Sequence, residues 1–290
     1  MTVQAAAPVR IRTGRMKRIR HSVIMWLVLT PLLVFILVPF LWAFSLSFKG
    51  TDEIFTQELH YLPRNLNFAN YHEIWNSIGF SSFFGNSLFV CGLSVLVIIV
   101  LSVLCGYALS RFRFKGRKAF MLALLCTQFI PGSMLLIPLA QIYREIGLID
   151  THAALVITYV VFELPFQAIL MQGFVSGIPF EIEEAALIDG CNRVQGIRRV
   201  VMPILTPGLV AVGIFAFVGC WNEFLFALMF VNSQSRFTIP VGLSYMRGQY
   251  GVNYGALAAG SMIALAPPIV MFAFIQKHLV QGLSSGAVKG

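Results

Sequence analysis

Six apolar stretches of the sequence are each long enough to cross a lipid bilayer, which takes about 20 apolar residues in a helix. The chain of 290 residues is 58% hydrophobic and only 11% charged, whereas soluble domains carry roughly 25% charged residues. We therefore predict an all-α membrane protein with six transmembrane helices. The predicted spans cover about residues 23–48, 86–110, 119–142, 153–175, 205–231 and 255–276.

Lysine and arginine are unevenly distributed between the segments that join these spans. Most of the 21 lie before the first span, between spans 2 and 3, and between spans 4 and 5. Short segments rich in these residues stay in the cytoplasm. We therefore predict a basic cytoplasmic tail over 1–22 that attracts anionic lipid, a six-helix membrane domain over 23–281, and a cytoplasmic tail over 282–290. The basic residues flank spans and form no patch with interleaved aromatic residues, so nucleic-acid binding is not predicted.

A polar stretch between the fourth and fifth spans has the signals of two short helices. Pro179 suits a first helical turn, and Gly190 suits a left-handed stop. Asn192, followed three residues later by Gln195, matches the cap of a second helix. The stretch is therefore predicted to fold as helix, sharp turn, helix.

The first of these helices is acidic, although it also carries apolar residues. It contains Glu181, Glu183, Glu184 and Asp189 and no basic residue. An anionic membrane surface repels such a helix, and apolar area that lipid does not cover is usually covered by protein. Two interpretations stay open: a solvated loop that packs only on its own chain, or a docking site for another protein.

The spacing of the same stretch resembles a known family signature. Residues 184–186 read Glu-Ala-Ala, Gly190 follows after three residues, and residues 200–203 read Val-Val-Met-Pro after nine more. This is similar to the EAA loop of ABC importer permeases, with valine and methionine in place of isoleucine and leucine. In that family the loop, here 176–203, is the coupling helix that fits a cleft on a cytosolic ATPase. The resemblance assigns ATPase coupling to Glu181, Glu183, Glu184, Ala185, Ala186, Asp189 and Gly190.

The C-terminal residues 282–290 resemble the ending of carbohydrate, maltose-type permeases, Gly-Leu-Thr-x-Gly-Ala-Val-Lys-Gly, with Ser284 in place of threonine. The stretches 62–71, 106–112 and 222–228 are similar to the same family. The resemblance covers about residues 22–290 and implies the type I importer permease fold. In some relatives the tail contacts the ATPases, which implies contacts through Gly286, Ala287, Val288 and Lys289.

The resemblance also implies a function and partners. It predicts a permease subunit of an ATP-driven importer of a sugar or oligosaccharide, paired with a second permease, two cytosolic ATPases and an extracytoplasmic sugar-binding protein. The sequence has no G-x-x-x-x-G-K-[ST] motif, which ATP-binding loops need. ATP and Mg are therefore predicted to bind the partners, and this chain is predicted to be no enzyme and to hold no cofactor or metal. An importer of glycerol phosphate or another polyol derivative remains an alternative.

Two spans contain polar side chains that a membrane does not easily accept. Glu163 and Gln167 lie in span 4, and Asn222 and Glu223 lie in span 5. Ionisable groups inside a membrane rarely face lipid, so these residues are predicted either to line a translocation path or to make a helix–helix contact. A proton-coupled secondary transporter that uses the two glutamates is the alternative from another class, although the chain shows no inverted repeat.

Prolines predict breaks at two further places. Pro131, followed by Gly132, lies near the middle of span 3 and predicts either a broken helix next to a cavity or a plain kink. Pro203 marks the point at which the second helix of the polar stretch bends or ends.

Overall fold

The computed structural model describes residues 13–56, 60–246 and 252–287. Within these ranges the chain is almost entirely helical and contains no strand, so the predicted all-α class is confirmed. Short π-helical turns at Glu73–Ser77 and Ile197–Val201, and 3-10 turns at Gly132–Leu135 and Gln234–Arg236, join the longer elements. The α-helices are α1 (Thr13–Ser47), α2 (Thr51–Ile54), α3 (Ala69–His72), α4 (Phe80–Arg111), α5 (Arg117–Thr127), α6 (Leu136–Glu145), α7 (His152–Ser176), α8 (Phe180–Ile188), α9 (Arg193–Gly196), α10 (Met202–Ile204), α11 (Thr206–Asn222), α12 (Leu225–Phe230), α13 (Ile239–Tyr245) and α14 (Tyr254–Ala287).

In the described part of the chain, four single helices are long and apolar enough to cross a membrane. They are Ser22–Ser47 of α1, α4, α7 and Tyr254–Ala273 of α14. Two helix pairs, each bent at a short break, pass the same test together: Arg117–Thr127 with Gly132–Glu145 at 94°, and Arg193–Ile204 with α11 at 72°. Counting each bent pair as one span gives six, the predicted number.

The third span breaks where the sequence places Pro131. Helix α5 ends at Thr127, and Pro131 is extended, with ψ at 124°. The break borders a cleft of about 160 Å³ whose other wall includes Val161 and Pro165 of α7. Of the two alternatives predicted for Pro131, the structure therefore shows the broken helix and not the plain kink.

The fifth span differs from the sequence prediction of one helix over 205–231. Helix α11 ends at Asn222, Glu223 is extended with ψ at 128°, and α12 starts anew at Leu225. The carboxylate of Glu223 accepts the backbone N–H of Phe226 at 2.7 Å, so a side chain replaces the helical acceptor at the break. Hydropathy alone could not reveal the interruption, because Asn222 and Glu223 lie between two apolar runs that together are long enough for one span.

The most extensive helix pairing, between α4 and α7, forms the centre of the bundle, and α11 packs on both. Buried side chains such as Ile98, Leu155 and Val212 fill the contact. Gly106 allows the two helices to approach closely, since a Cβ atom there would lie 2.8 Å from the backbone nitrogen of Gln172. Small residues at helix contacts are the usual device for close packing in membranes.

Helix α1 lies at the edge of the bundle and pairs mainly with α14. Its apolar side chains between Ser22 and Leu41 are exposed, so they need lipid or another protein as cover. The C-terminal end of α1 is hydrogen-bonded to α3. The side chain of Asn70 donates to the carbonyls of Ser47 and Lys49 at 2.9 and 2.8 Å. The predicted resemblance over 62–71 thus includes a buried residue that closes the end of a span.

Both predicted tails overlap helices. Helix α1 begins at Thr13, inside the predicted tail 1–22, and α14 continues to Ala287, inside the predicted tail 282–290. Val288 and Lys289 lie outside the described residues, so the predicted contacts of the C-terminal residues stay predictions.

Candidate functional site

The polar stretch after α7 folds as the predicted helix, turn and helix. Gly190 lies in the left-handed region, with φ at +86°, which a residue without a Cβ atom adopts at little cost. Asn192 and Gln195 form a reciprocal capping box with hydrogen bonds of 2.9 and 3.0 Å. The second helix runs through Pro203 and ends at Ile204, one residue beyond the predicted bend.

The outer face of α8 combines acidic and apolar side chains. Glu181, Glu184 and Ala185 are exposed, and the side chain of Ile188 is 86% exposed. An apolar residue so accessible, beside two carboxylates, is suited to contact with protein rather than with anionic lipid. We call the exposed side chains of Glu181, Glu184, Ala185 and Ile188 the outer face of α8.

Two residues to which the resemblance assigned ATPase coupling, Glu183 and Ala186, lie instead on the inner face of α8. Ala186 is buried and faces Gly196 of α9, where a Cβ atom would lie 3.8 Å from its own. The carboxylate of Glu183 points into the chain, and its side chain is only 12% exposed. The short side chain of Ala186 therefore packs the two helices together, and Glu183 has partners within the chain.

Glu183 is held by the last turn of α4. Its carboxylate accepts the N–H of Arg111 Nε at 2.6 Å and the hydroxyl of Tyr107 at 2.7 Å. Arg111 also donates to the carbonyl of Ile178, which lies between α7 and α8, at 2.9 Å. Charge-assisted hydrogen bonds of this kind are stronger than neutral ones, so α4, α7 and α8 are fastened at one guanidinium group.

The polar residues of spans 4 and 5 form a second group between α7 and α11. Gln167 is fully buried and donates to the carboxylate of Glu163 at 3.3 Å. The buried Oε1 atom of Gln167 has no hydrogen-bond partner. Gly219 of α11 leaves room for the Glu163 carboxylate, since a Cβ atom there would clash with it.

Glu223 joins this group through Tyr159. The hydroxyl of Tyr159 donates to its carboxylate at 2.8 Å. A small cavity of about 40 Å³ is lined by both Glu163 and Glu223 and is too narrow for a sugar. Asn222, in contrast, is exposed and donates to Val218 of its own helix at 3.0 Å. The structure therefore brings together Glu163, Gln167 and Glu223, but leaves Asn222 outside the group.

Sequence reasoning missed a polar contact at the opposite end of the bundle from α8. Asp150 has a positive φ of 60°, and its carboxylate accepts the backbone N–H groups of Asn232 and Ser233 at 3.0 and 2.9 Å. These hydrogen bonds, led by the one from the Ser233 hydroxyl, lower the pKa of Asp150. An aspartate directly before the helix-capping Thr151 was the available local signal.

The part of the chain that the structure describes shows no group of three or more His, Cys, Asp or Glu side chains placed to hold a metal ion. Gly286 and Ala287, predicted to contact an ATPase, lie in the last turn of α14.

A protein-family model described as "Binding-protein-dependent transport system inner membrane component" matches residues 98–285. YurM of Bacillus subtilis (strain 168), a probable ABC transporter permease protein, is 37% identical over 265 residues, which cover 91% of this chain and 88% of YurM. The trehalose transport system permease protein SugB of Mycobacterium tuberculosis is 36% identical over 268 residues, 91% of this chain and 97% of SugB.

Two further comparisons agree with these. DasC of Streptomyces coelicolor, a diacetylchitobiose uptake system permease protein, is 32% identical over 267 residues, 91% of this chain and 97% of DasC. A chain from the crystal structure of a bacterial ABC transporter involved in import of the acidic polysaccharide alginate superposes with a TM-score of 0.77 at 23% identity. The superposition covers 93% of this chain and 99% of that one, and it establishes the type I importer permease fold.

Proposed function

The chain belongs to the family of binding-protein-dependent transport system inner membrane components, and on that premise we propose that it is the membrane-spanning permease subunit of an ATP-driven importer for a sugar or oligosaccharide. The observation that carries the proposal is the outer face of α8, an exposed acidic and apolar surface next to a bundle of membrane spans. Two of the relatives described above are named for trehalose and diacetylchitobiose, which supports an oligosaccharide substrate.

The outer face of α8 is the docking surface for one cytosolic ATPase. Glu184 supplies a carboxylate for a polar contact in the ATPase cleft, and Ala185 lets the helix lie close to the partner because its side chain is short. Ile188 adds apolar area, whose removal from water favours association with another protein. Gly190 permits the turn after the helix.

The proposed docking surface supports a cytoplasmic location for the α8 end of the bundle and for both chain termini. Basic residues are concentrated from the end of α4 to the start of α5, and again in α9 and the turn after it, at this end of the spans; they are Arg111, Arg113, Lys115, Arg117, Lys118, Arg193, Arg198 and Arg199. Such segments stay in the cytoplasm. The opposite end, with the Asp150 contact, then faces the sugar-binding protein.

The remaining partners follow from the same family. A second permease pairs with this chain to enclose the path, and the exposed side chains of α1 meet that permease or lipid. Two ATPases bind ATP and Mg, because this sequence contains no phosphate-binding loop. The residues 282–290 are proposed to reach the ATPases as well.

Transport proceeds by alternating access. Binding of ATP closes the two ATPases and moves α8, which rests on one of them. The spans then rock and open the path toward the sugar-binding protein, which releases its sugar. ATP hydrolysis separates the ATPases and returns the path to the cytoplasmic side. Glu163 and Gln167 are proposed to border this path, since the Gln167 oxygen is an unsatisfied acceptor.

The competing function, proton-coupled transport through Glu163 and Glu223, fits the geometry less well. Glu223 accepts hydrogen bonds from Tyr159 and from two backbone amides. These three hydrogen bonds tie the carboxylate to the start of α12 and to Tyr159, which suits a helix cap and not a proton carrier.

The experiment that tests the docking surface is charge reversal of Glu184. In the complete transporter, Glu184→Lys is expected to abolish ATP-dependent sugar uptake and to reduce the amount of ATPase that co-purifies. Glu145→Lys, a matched reversal at an exposed position in α6, is expected to leave both unchanged. Normal uptake and ATPase recovery with Glu184→Lys would contradict the docking role.

A further inference from the structure

Glu183 and Glu184 are neighbours in α8, yet their side chains point to different partners. Successive residues of a helix are rotated by about 100°, because one turn holds 3.6 residues. Glu184 is therefore exposed, while the Glu183 side chain is 12% exposed and lies against α4. The two carboxylates cannot contact the same ATPase surface in this arrangement.

The partners of Glu183 all belong to the end of one membrane span. Arg111 and Tyr107 lie one turn apart on α4, so both reach the same carboxylate, at 2.6 and 2.7 Å. Arg111 has a second acceptor, the carbonyl of Ile178, at 2.9 Å. The side chain of Arg111 is only 10% exposed, so water screens this ion pair weakly.

We propose that Tyr107, Arg111 and Glu183 form a clamp through which movement of α8 is transmitted to the membrane span α4. Glu183 is then a positioning residue within the permease and does not contact the ATPase. The inference rests on the proposed function, because it takes α8 as the element that the ATPase moves. Since α4 makes the most extensive helix pairing of the bundle with α7, a displacement of α8 reaches the centre of the bundle through this contact.

The clamp borders a cleft and is not enclosed by apolar side chains on every side. A cleft of about 190 Å³ adjoins it, lined by Phe112, Leu187, Arg193 and Ile197 among others. Substitution in the clamp therefore leaves the freed polar groups next to space that water can enter. We expect conservative variants of the clamp to fold and to assemble with the ATPases, but to pass the movement of α8 to α4 less effectively.

The test uses the complete transporter in proteoliposomes, with the sugar-loaded binding protein present. The measured quantity is the amount of sugar imported per ATP hydrolysed, together with the ATPase that co-purifies. Glu183→Gln removes the charge, and Tyr107→Phe removes only a hydroxyl group. We expect normal ATPase recovery for both, with sugar imported per ATP lowered about tenfold for Glu183→Gln, an ordinary size for coupling between sites, and less for Tyr107→Phe.

A matched control separates transmission from stability. Tyr143→Phe removes another buried tyrosine hydroxyl, which pairs with Thr158 at 2.9 Å, and it is expected to leave the sugar imported per ATP unchanged. Loss of the ATPase from Glu183→Gln would overturn the inference and make Glu183 a docking residue. An unchanged ratio in both clamp variants would overturn it as well. Failure of the proposed function looks different, because Glu184→Lys would then keep both ATPase and uptake.

Discussion

Substitution of Glu223 separates a structural role from a transport role for the carboxylates inside the bundle. Its carboxylate accepts hydrogen bonds from Tyr159 and from the backbone amides of Phe226 and Ala227. Glu223→Ala leaves these three donors without their acceptor, and each buried donor left unpaired costs about 1–3 kcal/mol. Because the three bonds are partly buried, we expect a loss in the free energy of unfolding near the lower bound, about 3–5 kcal/mol.

Thermal unfolding of the purified protein in detergent measures this loss. For a chain of this length, 1 kcal/mol shifts the midpoint by about 2–4 °C, so Glu223→Ala should lower it by about 6–20 °C. Glu223→Gln keeps one carbonyl acceptor and should lower it by roughly half as much. Asn222→Ala is the matched control, since its exposed side chain bonds only within α11; it should cost less than about 0.5 kcal/mol.

Sugar uptake should fall only as far as the folded fraction of each Glu223 variant falls. A Glu223→Gln protein that unfolds at the wild-type midpoint but has lost uptake would refute the capping role. It would instead support a carboxylate that takes part in transport. Uptake that survives ATP depletion and collapses with the proton gradient would add to that result.

Three further predictions concern the turn after α8, the opposite end of the bundle, and its centre. Gly190→Ala, at φ +86°, should destabilise the protein by about 1–2 kcal/mol, measured by thermal unfolding. The pKa of Asp150 is lowered in the folded protein, so the charged carboxylate stabilises the fold. That stabilisation is complete above the ordinary aspartate pKa of about 3.9 and is lost as the pH falls toward the lowered value. Between pH 7 and 3, the unfolding midpoint should therefore decline more steeply for the wild type than for Asp150→Asn. Gly106→Ala would place a Cβ atom 2.8 Å from the α7 backbone and should lower the free energy of unfolding by about 1–3 kcal/mol. Gly92→Ala, whose Cβ atom would meet no atom within 4 Å, should leave that free energy nearly unchanged. Equal unfolding midpoints for these two variants would contradict the close packing of α4 on α7.

Features with local signals could be predicted from the sequence. The six spans follow from hydropathy, and the break in span 3 follows from Pro131 next to a glycine. The turn after α8 needs only Gly190 and the cap at Asn192, whose partner Gln195 lies three residues away. Each of these signals acts within a few residues, so no knowledge of the packing was required.

Features that depend on distant partners could not be predicted in this way. Glu183 and Glu184 are chemically equal in the sequence, and Glu183 is distinguished by partners 72 and 76 residues away, Arg111 and Tyr107. The interruption at Glu223 depends on a side chain that takes over backbone hydrogen bonds within an apolar stretch. The contact of Asp150 with Ser233 joins two loops that are 83 residues apart.

Purification of the tagged full-length protein in mild detergent, with identification of the co-purifying subunits, gives the most direct test of the permease function. An ATPase with a phosphate-binding loop should be recovered together with a second multi-span permease. The sugar-binding protein that accompanies them would then identify the substrate. A protein that purifies alone, and that transports sugar in liposomes without ATP, would contradict the proposed function.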